Sequence, residues 1–422
     1  MRIERICLVL ALGVGVSFGS VSSVCAESTS DLILKLLVKK GVLSQSDVDD
    51  LKSEVKKTEA VDVEKHAKGA SWAEKVKVKG DIRLRNEYER AGTGTYVNRQ
   101  RIRARAGIKA KITDTVNGEI ALGTGGIGNA RSTNQTLTDA FGTKAFDLDM
   151  AYIDWTPHKV IKFTGGKYDN PLYHPGDLLW DSDLRFEGGS ANIKYPMGED
   201  LGIPADLYVN SGVFVLDDLA IDKKNPYLYA VQGGLGSSVK DVFDWKAFVG
   251  YLDFTRIKGH QGAELLPTTG RAARGGGYYY DYDVIEASGE ITFHLLEQEL
   301  PKPFDQPFKI FGDYVTNAAA GGDKKNAFQA GVQYGKKVKE KGDWKTVYNF
   351  RAFEANAFPD DFPDADAFRG GTNGYGHEVI FQYGLAKNVN VEVDYYAFRD
   401  KPRAYPNEKW GHLIQTDINV KF

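Results

Sequence analysis

The chain has 422 residues and a formal net charge of −3, with 42% hydrophobic and 12% aromatic residues, 46 glycines and 2 cysteines. So near-neutral a balance lacks the basic surface that a nucleic-acid partner needs, and no apolar run beyond residue 26 approaches the roughly 20 residues of a membrane-spanning helix. What remains is a secreted soluble fold or a β-barrel whose membrane face is hidden in alternation, since each strand gives only every second residue to that face.

The amino terminus sets the compartment. Arg2 and Arg5 precede an apolar run from Ile6 to Phe18, and Val24-Cys25-Ala26 offers small residues for cleavage, which is the layout of a secretory signal peptide over 1–26. Val24 is the wrong type of residue to precede a lipidated cysteine, and the apolar run is too short for an uncleaved anchor. Cys7 and Cys25 both fall inside this leader, so the exported chain is expected to have no thiol and, without Arg2, Glu4 and Arg5, a net charge of −4. Absence of cysteine suits a chain that crosses an oxidising periplasm unfolded.

Residues 27–58 read as a helical hairpin. DLILKLLVKK ends at Gly41, a helix stop, and Ser44 with Asp47 resembles a capping box that opens a second helix carrying Val48, Leu51 and Val55 on one face. That stripe exceeds what so short an element buries alone, which points to a coiled coil or to a periplasmic or cell-wall partner. The competing reading is a poorly ordered spacer. Residues 59–74 read as a linker.

From residue 75 onward the period becomes two. In KVKVKGDIRLRNEYER, Val76, Val78, Ile82, Leu84 and Tyr88 take one face, while Lys79, Asp81, Arg83, Arg85, Glu87 and Glu89 take the other. NRQRIRARAGIKAKIT repeats the rule, with Ile102, Ala104, Ala106, Ile108, Ala110 and Ile112 opposite Arg99, Arg101, Arg103, Arg105, Lys109 and Lys111. Strands of ten or more residues are longer than a soluble sandwich needs and suit a tilted membrane strand. The pattern predicts strands at 75–90, 99–113, 117–126, 145–157, 159–168, 184–195, 203–216, 226–239, 242–256, 281–294, 307–318, 325–338, 343–356, 375–386, 389–400 and 410–422. The fold class is therefore an all-β transmembrane barrel of about 16 antiparallel strands over 75–422.

The connections alternate in kind. Those near Thr115, Pro157, Lys240, Lys339 and Lys387 are tight, while those near 91–98, 127–144, 169–183, 257–280, 357–374 and 401–409 are long and polar. Short turns on one rim and long loops on the other are the asymmetry of an outer-membrane barrel. The connections at 196–202 and 295–306 depart from it, as a miscounted strand would make them do.

Aromatic residues gather near strand ends. Trp155 precedes a short turn, Trp245 and Trp344 follow short turns, and Tyr278, Tyr279, Tyr280 and Tyr282 enter a strand from the opposite rim, the placement of interfacial girdles. In the last strand, Ile414, Thr416, Ile418, Val420 and Phe422 share one face, and Gln415, Asp417, Asn419 and Lys421 the other. A terminal aromatic in that phase resembles the signal read by the barrel-assembly machinery, so Phe422 is assigned that role and the machinery joins outer-membrane lipid as an expected partner.

The stretch FDLDMAYIDWTPHKVIKFTGGKYDNPLYHPGDLLWDSDLRFEGGSANIKYP carries Ala151-Tyr152-Ile153-Asp154-Trp155-Thr156-Pro157, Gly166-Lys167-Tyr168-Asp169-Asn170-Pro171 and Trp180-Asp181-Ser182-Asp183-Leu184 with Glu187-Gly188. These motifs resemble the putative porin family of Gram-negative bacteria, as do LLVKKGVLSQSDVDDL and RQRIRARAGIKAK; the basic strand resembles phosphate-selective porins more loosely. The resemblance implies an outer-membrane channel for passive diffusion of small hydrophilic solutes or ions, assembled as a homotrimer, and no particular solute.

About sixteen strands are expected to leave an aqueous lumen rather than a side-chain-filled core. By analogy with general porins, the loop from Tyr168 to Asp183 is expected to fold inward, placing Asp169, Asp177, Asp181 and Asp183 opposite Arg83, Arg85, Arg101, Arg103 and Arg105 at the constriction. Acid facing base sets up a transverse field. The second reading of those arginines is pairing inside the wall with Glu87, Glu89, Glu378, Glu392 and Asp417. Nucleophile elbows and metal-ligand spacings are missing, and neither a cofactor nor a metal is expected. Gly123 to Gly128 matches G-x-G-x-x-G but precedes a polar loop, His377-Glu378 lacks the second histidine of a zinc helix, and the acidic loop of Asp360, Asp361, Asp364 and Asp366 reads better as a solvated external loop than as a Ca²⁺ site. Two functions stand: a diffusion channel, or a structural barrel that tethers the envelope through its periplasmic helices.

Overall fold

The computed structural model divides the chain into two units, Met1–Trp72 and Ala73–Phe422. It describes residues 75–422 except 93, 127–128, 199–204, 219–224, 260–277, 323 and 401–408, and before them Val38, Ser44, Ser46, Val48 and Asp49. The expected leader and linker lie outside the described residues, as does most of the helical segment. Of that segment Val38, Ser46, Val48 and Asp49 are helical, and the Val48 amide donates to the Ser44 carbonyl at 3.3 Å.

The second unit is a closed antiparallel barrel. Its strands are β1 (Val76–Arg90), β2 (Tyr96–Lys111), β3 (Val116–Thr124), the two-residue β4 (Gln135–Thr136), β5 (Phe146–His158), β6 (Ile161–Asp169), β7 (Arg185–Pro196), β8 (Ala205–Val215) and β9 (Tyr227–Val239). They continue as β10 (Phe243–Thr255), β11 (Tyr282–Phe293), β12 (Phe308–Asn317), β13 (Asn326–Gly335), β14 (Trp344–Phe353), β15 (Gly374–Ala386), β16 (Val389–Asp400) and β17 (Gly411–Lys421). β4 only patches β2, pairing Thr136 with Arg101, so sixteen staves form the wall. All sixteen expected strands are present, with ends within three residues of those read from the periodicity.

Closure comes from β17 returning to β1, in register from Asp81 opposite Lys421 to Arg90 opposite His412, which leaves the sheet no free edge. Phe422 completes the seam: its amide and carbonyl exchange 3.0 Å hydrogen bonds with Gly80. The ring covers that glycine so closely that a Cβ there would lie 2.5 Å from Phe422 Cζ, so the residue under the ring has to be glycine.

The faces are inverted relative to a soluble sheet. Val78, Ile82 and Leu84 of β1 and Ile414 and Ile418 of β17 are exposed outward, whereas Arg85, Glu87, Gln415 and Asp417 are buried inward. Apolar side chains outside and charged ones inside are stable only where hydrocarbon surrounds the wall. Most connections sort as expected, with tight ones at 112–115, 159–160, 240–242 and 387–388 and long ones at 125–145, 170–184 and 354–373; the one near Lys339, expected to be tight, spans 336–343, and the one expected to be long at 91–98 is only 91–95. The long turn at 294–307 holds a four-residue helix, α1 (Leu296–Glu299), rather than a missed strand.

Two expectations change inside the barrel. The lumen is not wholly aqueous: Leu172, Leu178, Leu179 and Trp180 of loop 170–184, with Phe358 and Phe368 of loop 354–373, pack against inward-facing Phe186, Phe214, Phe254 and Phe353. Trp180 meets Phe186 at 4.9 Å and Phe358 at 5.1 Å, both edge-on. The tyrosines also divide, for Tyr278 and Tyr282 are fully buried in this core and only Tyr279 among them is exposed enough for a girdle. A run of consecutive tyrosines at a strand entrance does not reveal its phase, and here the phase points inward.

Candidate functional site inside the barrel

Loop 170–184 crosses the lumen from wall to wall. On the β9 side Gln232 grips the Tyr173 backbone, accepting from its amide at 2.7 Å and donating to its carbonyl at 3.0 Å. Further along, Asp177 accepts from Gln329 of β13 at 3.1 Å and from Arg351 of β14 at 2.9 Å. Leu178, Leu179 and Trp180 then bury their side chains in the core. The loop lands on β2, where Asp183 Oδ1 lies 3.5 Å from Arg103 and 3.3 Å from Arg105, and its other oxygen accepts from the Thr133 amide and hydroxyl. Burial alone would raise the Asp183 carboxyl, but Arg103, Arg105 and Arg83 hold it below the usual carboxylate range.

Loop 354–373 turns inward beside it. Arg131 donates to the carbonyls of Asp360, Pro363 and Gly370 at 3.2, 3.1 and 2.6 Å, so one guanidinium ties three points of the loop. Asp360 and Asp361 both lie within hydrogen-bond distance of the Tyr278 hydroxyl, at 2.6 and 2.7 Å. Asp364 pairs with Arg351 at 3.0 Å and Asp366 with Arg85 at 3.3 Å. The acidic stretch is therefore an inward-facing element and not the solvated external loop expected, because arginine and tyrosine partners across the lumen make its burial affordable. The two loops are joined at Asp181, which accepts from the Ala365 amide at 2.8 Å while its own amide donates to the Phe362 carbonyl at 2.8 Å. Burial, with Asp183 and Asp366 nearby, pushes the Asp181 carboxyl up to about 7.

The arginine ladder lies on β1 and β2, facing inward. Arg85 holds Asp417 with two 2.8 Å bonds, and Arg83 reaches the same carboxylate at 3.2 Å. Arg103 and Arg105 share Asp81 at 2.8 and 2.7 Å, and Arg99 and Arg101 share Glu87. The ladder thus pairs within the wall with Glu87 and Asp417, and of the aspartates of loop 170–184 Asp183 alone, among the described residues, reaches it, through Arg103 and Arg105. Glu378, however, belongs to Arg351 instead.

Between ladder and loops lies a polar cavity of about 440 Å³. Arg83, Arg85, Arg99 and Arg101 line one side; Asp364, Glu378, Glu392 and Asp394 line the other, with Asp177, Asp181 and Asp183 bridging along the loop. Asp169 stands apart at the end of β6, paired with Arg185 at 3.1 Å and with a side chain 75% exposed. Arg131, Arg351 and Asp394 carry no signal in the sequence reading, and Asp364, read there as part of a solvated loop, lines the cavity instead. Arg351, Glu378 and Asp394 sit at inward phase on β14 to β16, where the charges are sparse and of mixed sign, with no run of one sign like that of the arginine ladder. Only barrel closure brings β15 and β16 beside β1 and β2.

A barrel with charged walls and an infolded loop has relatives. The family model described as "Putative porin" matches residues 91–276 and 278–422. The chain belongs to that family. This porin also shares its fold with solved outer-membrane proteins: the high-pH structure of Pseudomonas putida OprB aligns at a TM-score of 0.54 and 11% identity, covering 84% of this chain and 96% of that one. Salmonella typhi OmpF, solved as a complex with daunomycin, aligns at a TM-score of 0.50 and 12% identity, covering 82% and 97%. No curated protein sequence gives a significant match. Family and fold together make this a channel-forming porin of the outer membrane, a class of channels rather than enzymes.

Proposed function

We propose that this porin passes small hydrophilic solutes by diffusion through an eyelet between the arginine ladder and the acidic loops, with Arg83, Arg85, Arg101, Arg103, Arg105, Asp177, Asp181 and Asp183 setting its charge. The observation that carries this reading is the polar cavity of about 440 Å³, with guanidinium groups on one wall and carboxylates facing it. Opposed fixed charges in a narrow lumen orient dipolar solutes and water, so selection requires no energy source. The porin acts as a homotrimer, is exported through the leader over 1–26 and is assembled through recognition of Phe422. The helices over 27–58 serve a periplasmic or cell-wall partner.

Planar bilayers test the reading. Purified wild-type protein inserts with stepwise conductance, and the double reversal Arg101→Glu with Arg103→Glu moves the reversal potential in a salt gradient toward cation selectivity. A folded barrel that never conducts defeats the channel, and an unmoved reversal potential removes those arginines from the eyelet.

A further inference from the structure

We propose that the charged cavity is a transit site for small zwitterions, namely an α-amino acid or dipeptide held with its carboxylate toward the arginine ladder and its ammonium toward β16. This deepens the channel reading and rests on it.

The wall register supplies the first argument. Along one hydrogen-bonded row Glu392 of β16 faces Asp417 of β17, Asp417 faces Arg85 of β1, and Arg85 faces Arg101 of β2. The next row runs Asp394, Gln415, Glu87, Arg99 over the same four strands. The lumen wall therefore passes from acid to base around its circumference, and each pole is left over-charged. Arg83, Arg85, Arg99, Arg101, Arg103 and Arg105 are answered by Asp81, Glu87, Asp183, Asp366 and Asp417, an excess of positive charge. Opposite them Arg351 answers Asp177, Asp364 and Glu378, and Lys345 lies beside Glu392, so that with Asp394 on the same flank of the cavity five carboxylates face two cations.

Open hydrogen-bonding atoms supply the second. Arg101 Nε has no acceptor, and Asp394 Oδ1 and Gln415 Oε1 have no donor, among the described residues. Gln415 is 1% and Asp394 8% exposed, and all three residues line the cavity. A buried open donor at the basic pole and buried open acceptors at the acidic one are costly unless something fills them. The filler has to accept at one end and donate at the other. Charge then selects among such molecules: a dianion is repelled by Asp394, Glu392 and Glu378, a dication by the ladder, and a neutral polyol forgoes the charge-assisted bonds at both poles.

The test is solute block of single-channel current, with glycylglycine as zwitterion, succinate as dianion, putrescine as dication and glucose as polyol. Glycylglycine is expected to interrupt the current in a concentration-dependent way, more strongly than the other three. Arg101→Gln and Asp394→Asn are each expected to weaken that block about tenfold, the effect of removing one charge-assisted bond. Should Arg101→Gln lose the heat-modifiable gel mobility of a folded barrel, Arg101→Lys replaces it, keeping the charge and deleting the open Nε. Block by succinate or glucose as strong as by glycylglycine, or block indifferent to Asp394→Asn, overturns the proposal. So does an open channel that glycylglycine leaves undisturbed, although the channel reading then survives. If the barrel never conducts, calorimetric titration of the detergent-solubilised protein with glycylglycine decides: saturable binding lost in Asp394→Asn supports the site, and no heat of binding ends it.

Discussion

The two flanks of the lumen are built from the same kind of strand yet differ in what dominates their inner faces. Along β7 to β14 the inward positions carry Phe186, Phe214, Leu228, Leu252, Phe254, Val315 and Phe353, and two loops fold onto them to make a dry core, beside a shorter polar row of Gln232, Glu286, Asp313 and Gln329. Along β14 to β17, β1 and β2 the inward positions carry Arg351, Glu378, Asp394, Gln415, Asp417 and the arginine ladder around a polar cavity. The dry flank fixes the loops and the wet flank uses them. Asp177, Asp181 and Asp183 sit in the same loop as Leu178, Leu179 and Trp180, so burial of the apolar residues is what aims the carboxylates at their arginines. In this arrangement the ion pairs of one side are anchored by the packing of the other.

Trp180→Ala is expected to break that link most severely. The indole is buried and touches Phe186, Phe254, Phe358 and Phe362, so its loss costs the packed loops about 3–5 kcal/mol. The sixteen-stave ladder does not depend on Trp180, so the loops should open before the barrel unfolds. Hydrogen exchange should accelerate in 172–184 and 357–368 while strand amides stay protected, and single-channel conductance should rise. Unchanged exchange in both loops would mean that the two flanks are independent.

Arg131→Ala sharpens the comparison from the wet side. It removes the donor shared by the carbonyls of Asp360, Pro363 and Gly370, with an expected cost to loop 354–373 of about 1–3 kcal/mol. Loop 170–184 keeps its anchors at Gln232, Gln329 and Arg103, so exchange should accelerate in 357–368 alone. Equal acceleration in both segments would show that Asp181 couples them more tightly than the apolar core does.

How much of this was legible in the sequence follows from the length scale of each signal. Alternation is local, so Val78-Lys79-Gly80-Asp81-Ile82 announces its two faces, and all sixteen strands could be found. The inward loop could be placed by its position in the strand count. Its apolar triad Leu178-Leu179-Trp180 is a second signal of the same fact, for three large apolar residues in a row are out of place in a solvated loop. The acidic stretch from Asp360 to Asp366 reads as solvated in sequence because two of its partners, Tyr278 and Arg85, lie far along the chain, and only the third, Arg351, stands on the strand that leads into it. Asp169 shows the converse: near in sequence to the crossing loop, it ends a strand and turns to Arg185.

The smallest expected effect is on pH. Asp361 is buried beside Asp360, which pushes its carboxyl up to about 7, the value that Asp181 also reaches. Both values lie above that of an unfolded aspartate, so the fold favours the neutral forms; that contribution is complete in acid and is lost as pH rises through about 7. Raising the pH across that range therefore adds negative charge beside the cavity and loosens the junction between the two loops. The reversal potential should drift toward cation selectivity and the open-channel noise should grow, both by less than charge reversal at Arg101 and Arg103 produces. The double variant Asp181→Asn with Asp361→Asn should flatten the drift. A drift that persists in it would assign the titration to carboxylates of the wet flank itself, and the dry flank would then anchor the eyelet without tuning it.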